Sequence, residues 1–421
     1  MKEDFLQYVW QHGLFVKKAI YSAEGESISV VKLGVLNRNS GPDFLNAQVR
    51  IADYLWAGNI EVHVNASDWY LHNHDVDKNY DNVILHVVWN NDTTIKINDV
   101  LLPTLELRQY ISNELRDKYQ AFFAKKKSWI LCENEIAHVP TFSFMYWKEQ
   151  LFYQRLEEKS KSIELLLVKF KNDWEATLFV LMARGFGLRQ NSEAFEAMAA
   201  SIDFGIIRKI RTKQKTLEAL FFGMSHILTS RLNDPYLKEL QEEYAWLKKK
   251  FRLESSLLSN PTFFRLRPAS FPTIRLSQLA MLYASNDNVF NMLMQFETIQ
   301  ELTTALKVCA STYWDTHYNF GKVSTKKTKV LTQSFVELLM INVIIPIKFI
   351  YLKQQGKPVE KLIDLMLNLP PEKNSIVRSF KKLKVKANSA FDSQALLQLK
   401  NNYCAPQKCL QCAIGHYLLK A

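Results

Sequence analysis

Between Gly41 and Trp89 the sequence gathers the side chains best suited to chemistry. Asp43 stands in a Gly-Pro-Asp turn, Glu61 lies inside the run LWAGNIEVHVN, and His63 follows two residues later. Alternation in that run places Ile60, Val62 and Val64 on one face of a strand and Glu61 and His63 on the other. Two carboxylates on adjoining strands can share one divalent cation, and Mg²⁺ or Mn²⁺ accepts such oxygen ligands while keeping waters for a phosphate. An ion so held polarises a phosphoryl oxygen and acidifies an attacking water, which His63 would position or deprotonate. The next segment, DWYLHNHDVD, adds His72, His74, Asp75 and Asp77. His-x-His on a strand or extended loop puts two imidazoles on one side, and with His63, His86 and a carboxylate this would suit a transition metal. A plainer reading stays open, in which these are polar loop residues packed on Trp69 and Tyr80, with His86 a satisfied core histidine.

Two further groups carry chemistry. Cys404, Cys409 and Cys412 have the spacing C-x4-C-x2-C. A C-x2-C pair can bind one tetrahedral metal through a tight turn, as in zinc or iron–sulfur sites. The fourth ligand would be His416 or, if the chain ends meet, Cys132; three reduced thiols beside an apolar helix are the alternative. Such a centre would be a staple, because a fully thiolate-ligated ion leaves no open position. Arg265, Arg267 and Arg275 surround Pro268 and Pro272. Their planar forks suit phosphate oxygens and hence DNA or RNA, and would equally well pair with helix carboxylates.

The elements that must position these groups follow from periodicity. Residues 1–12 form a short helix with Phe5, Leu6, Val9 and Trp10 on its apolar stripe. Residues 28–36, 47–53, 55–65 and 83–89 read as strands, with a turn cluster at NRNSGPD. Beyond Phe142 the period changes to helical, in successive segments to the C-terminus. The expected organisation is an α/β domain with a mixed sheet over 1–127, a large all-helical region over 141–374, and a terminal helix with a cysteine-bearing tail over 375–421. With 421 residues, 48% of them hydrophobic and 23% charged, the chain is made for packed structure rather than disorder.

The net charge of +12 is compatible with a nucleic-acid partner, although the lysines are scattered, with runs at 125–127, 248–250, 322–329 and 381–386. The start MKEDFLQYVW lacks a secretory pattern, and the apolar stretch Leu338–Tyr351 is short for a bilayer. Five cysteines are too few for a disulfide scaffold. A cytoplasmic protein without a membrane partner is expected.

GPDF followed by GNIEVH resembles the core motif of the PD-(D/E)xK nuclease superfamily, in which a Pro-Asp pair precedes a strand bearing Glu-x-Lys. The resemblance implies a restriction-endonuclease-like core, with Asp43 and Glu61 as metal carboxylates, His63 in the lysine's place and Glu3 as an assisting acid. Histidine for lysine is a departure from that pattern. Some members of that superfamily bind a [4Fe–4S] cluster through one upstream and three C-terminal cysteines, a layout similar to Cys132 with the terminal trio. Over the whole chain, SGPDF, WAGNIEVHVNASDWYLHNHD, YDNVILHVVW, RPASFPTIRL and YCAPQKCLQCAIG resemble the DUF2851 family of uncharacterised bacterial proteins, known mainly from Bacteroidetes. That resemblance implies no activity. A metal-dependent phosphodiesterase or nuclease acting on nucleic acid is the leading expectation. A non-catalytic nucleic-acid-binding protein and a structural or interaction protein are the alternatives.

Overall fold

The computed structural model describes residues 1–125, 128–254 and 260–420. Lys126, Lys127 and the expected domain end at 127 lie outside the described residues. The chain divides into two compact units, Met1–Trp147 with Lys400–Ala421, and Lys148–Leu399. The cysteine tail therefore belongs to the sheet-bearing unit, while the helix Ala390–Gln398 belongs to the helical one. A mixed sheet in the N-terminal region and a large helical region, with 55% of residues helical, agree with the expected class.

In the first unit, helix α1 (Glu3–His12) buries Phe5, Leu6, Tyr8, Val9 and Trp10 and ends at Gly13 in the left-handed conformation. Strands β1 (Ile20–Tyr21), β2 (Ser27–Lys32), β3 (Val35–Leu36), β4 (Phe44–Ile51) and β5 (Tyr54–Asn65) pair antiparallel. Helix α2 (Asp68–Leu71) begins the crossover to β6 (Val83–Asn90), which runs parallel to β5. A small hairpin, β7 (Lys96–Ile97) and β8 (Val100–Leu101), precedes β9 (Thr104–Glu106), parallel to β6. The order in the main sheet is β1-β2-β4-β5-β6-β9, with β3 also on β4. Parallel neighbours cannot be joined by a tight hairpin. The segment from Ala66 to Asn82 must travel back over the sheet, and it carries His72 and His74 with it. Trp69, Tyr80, Val83, Ile95 and Leu102 form the apolar cluster beneath that segment.

Gly58 on β5 has no room for a side chain. A Cβ there would stand 2.5 Å from Ile84 Cγ2 and 2.6 Å from the Asn82 carbonyl oxygen, the acceptor for Asn59 N–H at 2.9 Å. Gly58→Ala is expected to destabilise the chain by about 1–3 kcal/mol through overpacking. The measurement is a lower urea midpoint at unchanged slope.

The second unit packs helices around α-helical segments such as Trp174–Phe186, Gln214–Met224 and Pro272–Ala284. The apolar stretch around Leu338–Tyr351 lies in three successive helical pieces, Gln333–Leu339, a π turn at Met340–Ile344, and Ile345–Gln354. Pro346 lacks the N–H that a regular α-helix would send back one turn, and a wide turn next to it absorbs the mismatch. Gln333–Gln354 is thus a 22-residue helical stretch, long and apolar enough to cross a membrane by length and composition, with 72% of its apolar window buried inside the protein.

Candidate metal and acid–base site

The Gly-Pro-Asp turn is built by Asn37. Its amide donates to the carbonyls of Ser40 and Pro42, its backbone N–H donates to the Asp43 carbonyl at 2.7 Å, and Gly41 takes a φ of 99°. Asp43 is thereby delivered at the start of β4. The register between β4 and β5 slips between Phe44 and Ala47, with Asn46 at a φ of 57°. Such an irregularity twists a strand and re-aims its neighbours.

Asp43 and Glu61 meet in a crossed arrangement. The Glu61 carboxylate accepts the backbone N–H of Asp43 at 3.0 Å, and the Asp43 carboxylate accepts the backbone N–H of Val62 at 3.2 Å. Gln7, on α1, donates to Asp43 Oδ1 at 2.9 Å and to Glu3 Oε1 at 3.2 Å. Burial first, and then the charge of Glu61, push the Asp43 carboxyl up to about 8. Glu3 is also raised, by burial and by the same Glu61 charge, which places it at the rim of this site.

The histidines close on Glu61 from the other side. His63 Nε2 lies 3.5 Å and His74 Nε2 3.4 Å from Glu61 Oε1. His63 Nε2 also lies 3.1 Å from His72 Nδ1, and one ring nitrogen from each of His63, His72 and His74 falls within 4.8 Å of the others. Two imidazole nitrogens bound to one ion at roughly 2.0–2.1 Å each stand about 3 Å apart, so the His63–His72 spacing fits shared coordination, with His74 alongside. His63 Nδ1 is 2.9 Å from Nε2 of the fully buried His86, whose own Nδ1 has no hydrogen-bond partner among the described residues. An imidazole turned to a metal by one nitrogen is held in tautomer and orientation by a partner on the other. Burial, and then the neighbouring imidazoles, lower His63 to about 2 and keep it neutral. His74 stacks on Tyr80 at 3.8 Å between centroids, while His72 is exposed and opens the site to solvent.

The structure departs from the sequence expectation in four respects. The His-x-His segment is neither strand nor extended loop: His72 caps α2, and Asn73 takes a φ of 60°. The short helix and the left-handed Asn73 bring His72 and His74 to His63. His63 is buried and engaged at both ring nitrogens, which suits a ligand and not a free base for water. Arg275 is buried in the helical unit, its guanidinium 3.7 Å from the Phe335 ring centroid and donating to Gln278, so it does not present a fork to phosphate. Arg265 and Arg267 are exposed. His416 is turned to α1, with Nδ1 2.9 Å from the Tyr8 hydroxyl and its ring 4.2 Å from that of His12. Of the remaining acids, Asp77 caps a short 3₁₀ turn at Asn79 and Asp75 is exposed.

Gln7 and Asn37 were not legible as site residues. Gln7 carries no signal beyond its place one turn after Glu3, and Asn37 sits in a turn cluster whose hydrogen bonds only the fold shows.

Fold and site together define a two-unit protein whose mixed α/β unit holds a histidine–carboxylate cluster. Residues 3–375 match the family described as "Protein of unknown function (DUF2851)", and the chain belongs to that family. No curated protein matches, and no solved structure matches.

Proposed function

We propose that this protein is a metal-dependent hydrolase of phosphodiester bonds in nucleic acid. The reading rests on the convergence of three imidazoles and the Glu61 carboxylate at one solvent-open point, beside a carboxyl group that exchanges protons near neutral pH. His63, His72, His74 and Glu61 would hold the ion. Imidazole donors favour Zn²⁺ over Mg²⁺ and Mn²⁺, which prefer oxygen ligands. The ion would supply Lewis acidity toward a phosphoryl oxygen and acidify a water. Asp43 takes and returns the proton, since general acid–base groups work best with a pKa near the operating pH. Gln7 orients Asp43, and His86 orients His63. The +12 net charge and the exposed Arg265 and Arg267 support a polyanionic substrate.

The test is incubation of the purified chain with Mn²⁺ or Zn²⁺ and labelled single-stranded DNA, duplex DNA and RNA. Cleavage that needs the ion and falls at least about 10–100-fold in His72→Ala/His74→Ala is expected, since losing even the partners that orient metal ligands costs that much. Undiminished cleavage by that variant overturns the assignment. A chain that neither retains an ion at these histidines nor cleaves would instead carry a structural polar network, the reading that the buried His63–His86 pair favours.

A further inference from the structure

The helical unit, Lys148–Leu399, holds a cleft of about 410 Å³. That lies within the range of about 300–1,000 Å³ usual for small-molecule sites. Its walls come from the helices Thr141–Lys169, Trp174–Phe186 and Leu188–Ala200 and from the π turn Met340–Ile344. Leu181, Leu188, Leu338, Leu339 and Val343 line it with apolar surface. Lys159, Arg184 and Arg189 add three cations, and Glu372 is the one acid lining it among the described residues.

The cations are only partly matched. Lys159 Nζ donates to Gln394 Oε1 at 2.9 Å, to Asn342 Oδ1 at 3.0 Å and to the Ile341 carbonyl at 3.4 Å, all neutral oxygens. Arg155 Nε donates to the same Gln394 oxygen at 2.6 Å. Two cations thus converge on one amide, where a buried charge ordinarily meets an opposite charge. The Glu372 carboxylate is occupied by amides, accepting from Gln394 at 2.8 Å, Asn374 at 3.2 Å and Asn342 at 3.4 Å. Arg184 reaches Glu196 at 3.4 Å, while Arg189 is exposed and forms no ion pair among the described residues. Burial, and then Arg155, draw the Lys159 ammonium down to about 7 against the pull of Glu372. An anion in the cleft would oppose that shift.

The backbone around the cleft is irregular as well. Leu188 takes a φ of 53°, in the left-handed region that bulky side chains avoid. The π turn sets Asn342 and Val343 on the wall. Strained residues and π turns gather at ligand sites. The apolar lining is fixed by close packing: a Cβ on Gly185 would stand 2.8 Å from Leu339 Cδ2 and 3.0 Å from Val343 Cγ2.

We propose that this cleft binds a small amphipathic anion, an organic molecule with an apolar body and a carboxylate or phosphate head. The body covers the leucines and Val343, which gain by leaving water. The head answers the charge of Lys159 and Arg189, which a neutral oil would leave unmatched. This inference is independent of the histidine site, which belongs to the other unit.

The test is calorimetric titration of the full-length chain with decanoate and with decyl phosphate, each below its micelle concentration, beside decanol and inorganic phosphate. One-to-one binding of at least one amphipathic anion, about 10-fold or more tighter than decanol and inorganic phosphate, is expected, since a charge-assisted contact is worth about that much. The tighter of the two anions identifies the head. Arg189→Glu and Ser162→Trp change exposed positions of the lining, so the fold is kept. Arg189→Glu should weaken binding of the anion about 10-fold by reversing one charge, and Ser162→Trp should weaken it by filling the cleft. No saturable binding of either anion, decanol bound as tightly as the anions, or an affinity unchanged in either variant would overturn the proposal.

Discussion

Asp43→Asn should lower metal-dependent phosphodiester cleavage by about 10³-fold, the range for losing a positioned acid–base group, while making the chain more stable at pH 8. The two effects have one cause. Asp43 and Glu61 are held together by crossed hydrogen bonds to each other's backbone, and Gln7 fixes the free oxygen of Asp43. That geometry forces like charges together in a desolvated place, which destabilises the fold and tunes the proton affinity. Asparagine keeps the shape: its carbonyl still accepts from Val62, and a rotated Gln7 amide can accept from its NH₂. It removes the charge and with it the titration. Each kcal/mol recovered should raise the melting temperature by about 2–4 °C for a unit of this size. Thermal unfolding at pH 8 with chelator present, beside single-turnover cleavage with Mn²⁺, measures both. A variant with full activity, or one that is inactive because it is unfolded, would defeat this account of Asp43.

Glu218→Gln should abolish a pH dependence of stability in the helical unit. Glu218 is fully buried on Gln214–Met224. It accepts from the Trp314 indole, from Ser311 Oγ at 3.4 Å and from Ser277 Oγ at 3.2 Å. Burial raises its pKa to about 7, against the opposing pull of those donors. A carboxyl group whose folded pKa exceeds its unfolded value binds its proton more tightly in the native state. Stability is therefore greatest below about pH 4.5 and declines as pH rises toward 7, where the native group ionises. The shift corresponds to about 3 kcal/mol across that window. Urea denaturation at pH 5 and pH 8 should show the decline in the wild type and a flatter profile in Glu218→Gln. Parallel profiles for the two proteins would assign the pH dependence elsewhere.

How much was legible beforehand depends on the range of the interaction. Alternation along Tyr54–Asn65 and the apolar stripe of Glu3–His12 are local patterns, and both elements formed where periodicity placed them. The π turn before Pro346 was not anticipated, because a proline inside an apolar helical pattern specifies a disruption without its form. Glu218 was missed altogether. An acidic residue on a helical pattern reads as solvated until packing shows Trp314 and Ser277 around it.

The sequence by itself determined which side chains with metal-binding and proton-transfer chemistry the chain owns, and that Glu61 and His63 share a strand face, since side-chain direction in a strand repeats every two residues. Tertiary structure alone decided which of them meet. The parallel pairing of β5 and β6 requires the crossover that folds His72 and His74 back onto Glu61. The slipped register of β4 sets Asp43 against Glu61, and helix α1 supplies Gln7 from outside the motif. These are contacts between segments whose separation along the chain encodes nothing about their distance in space, so they emerge only when the apolar faces beneath them pack.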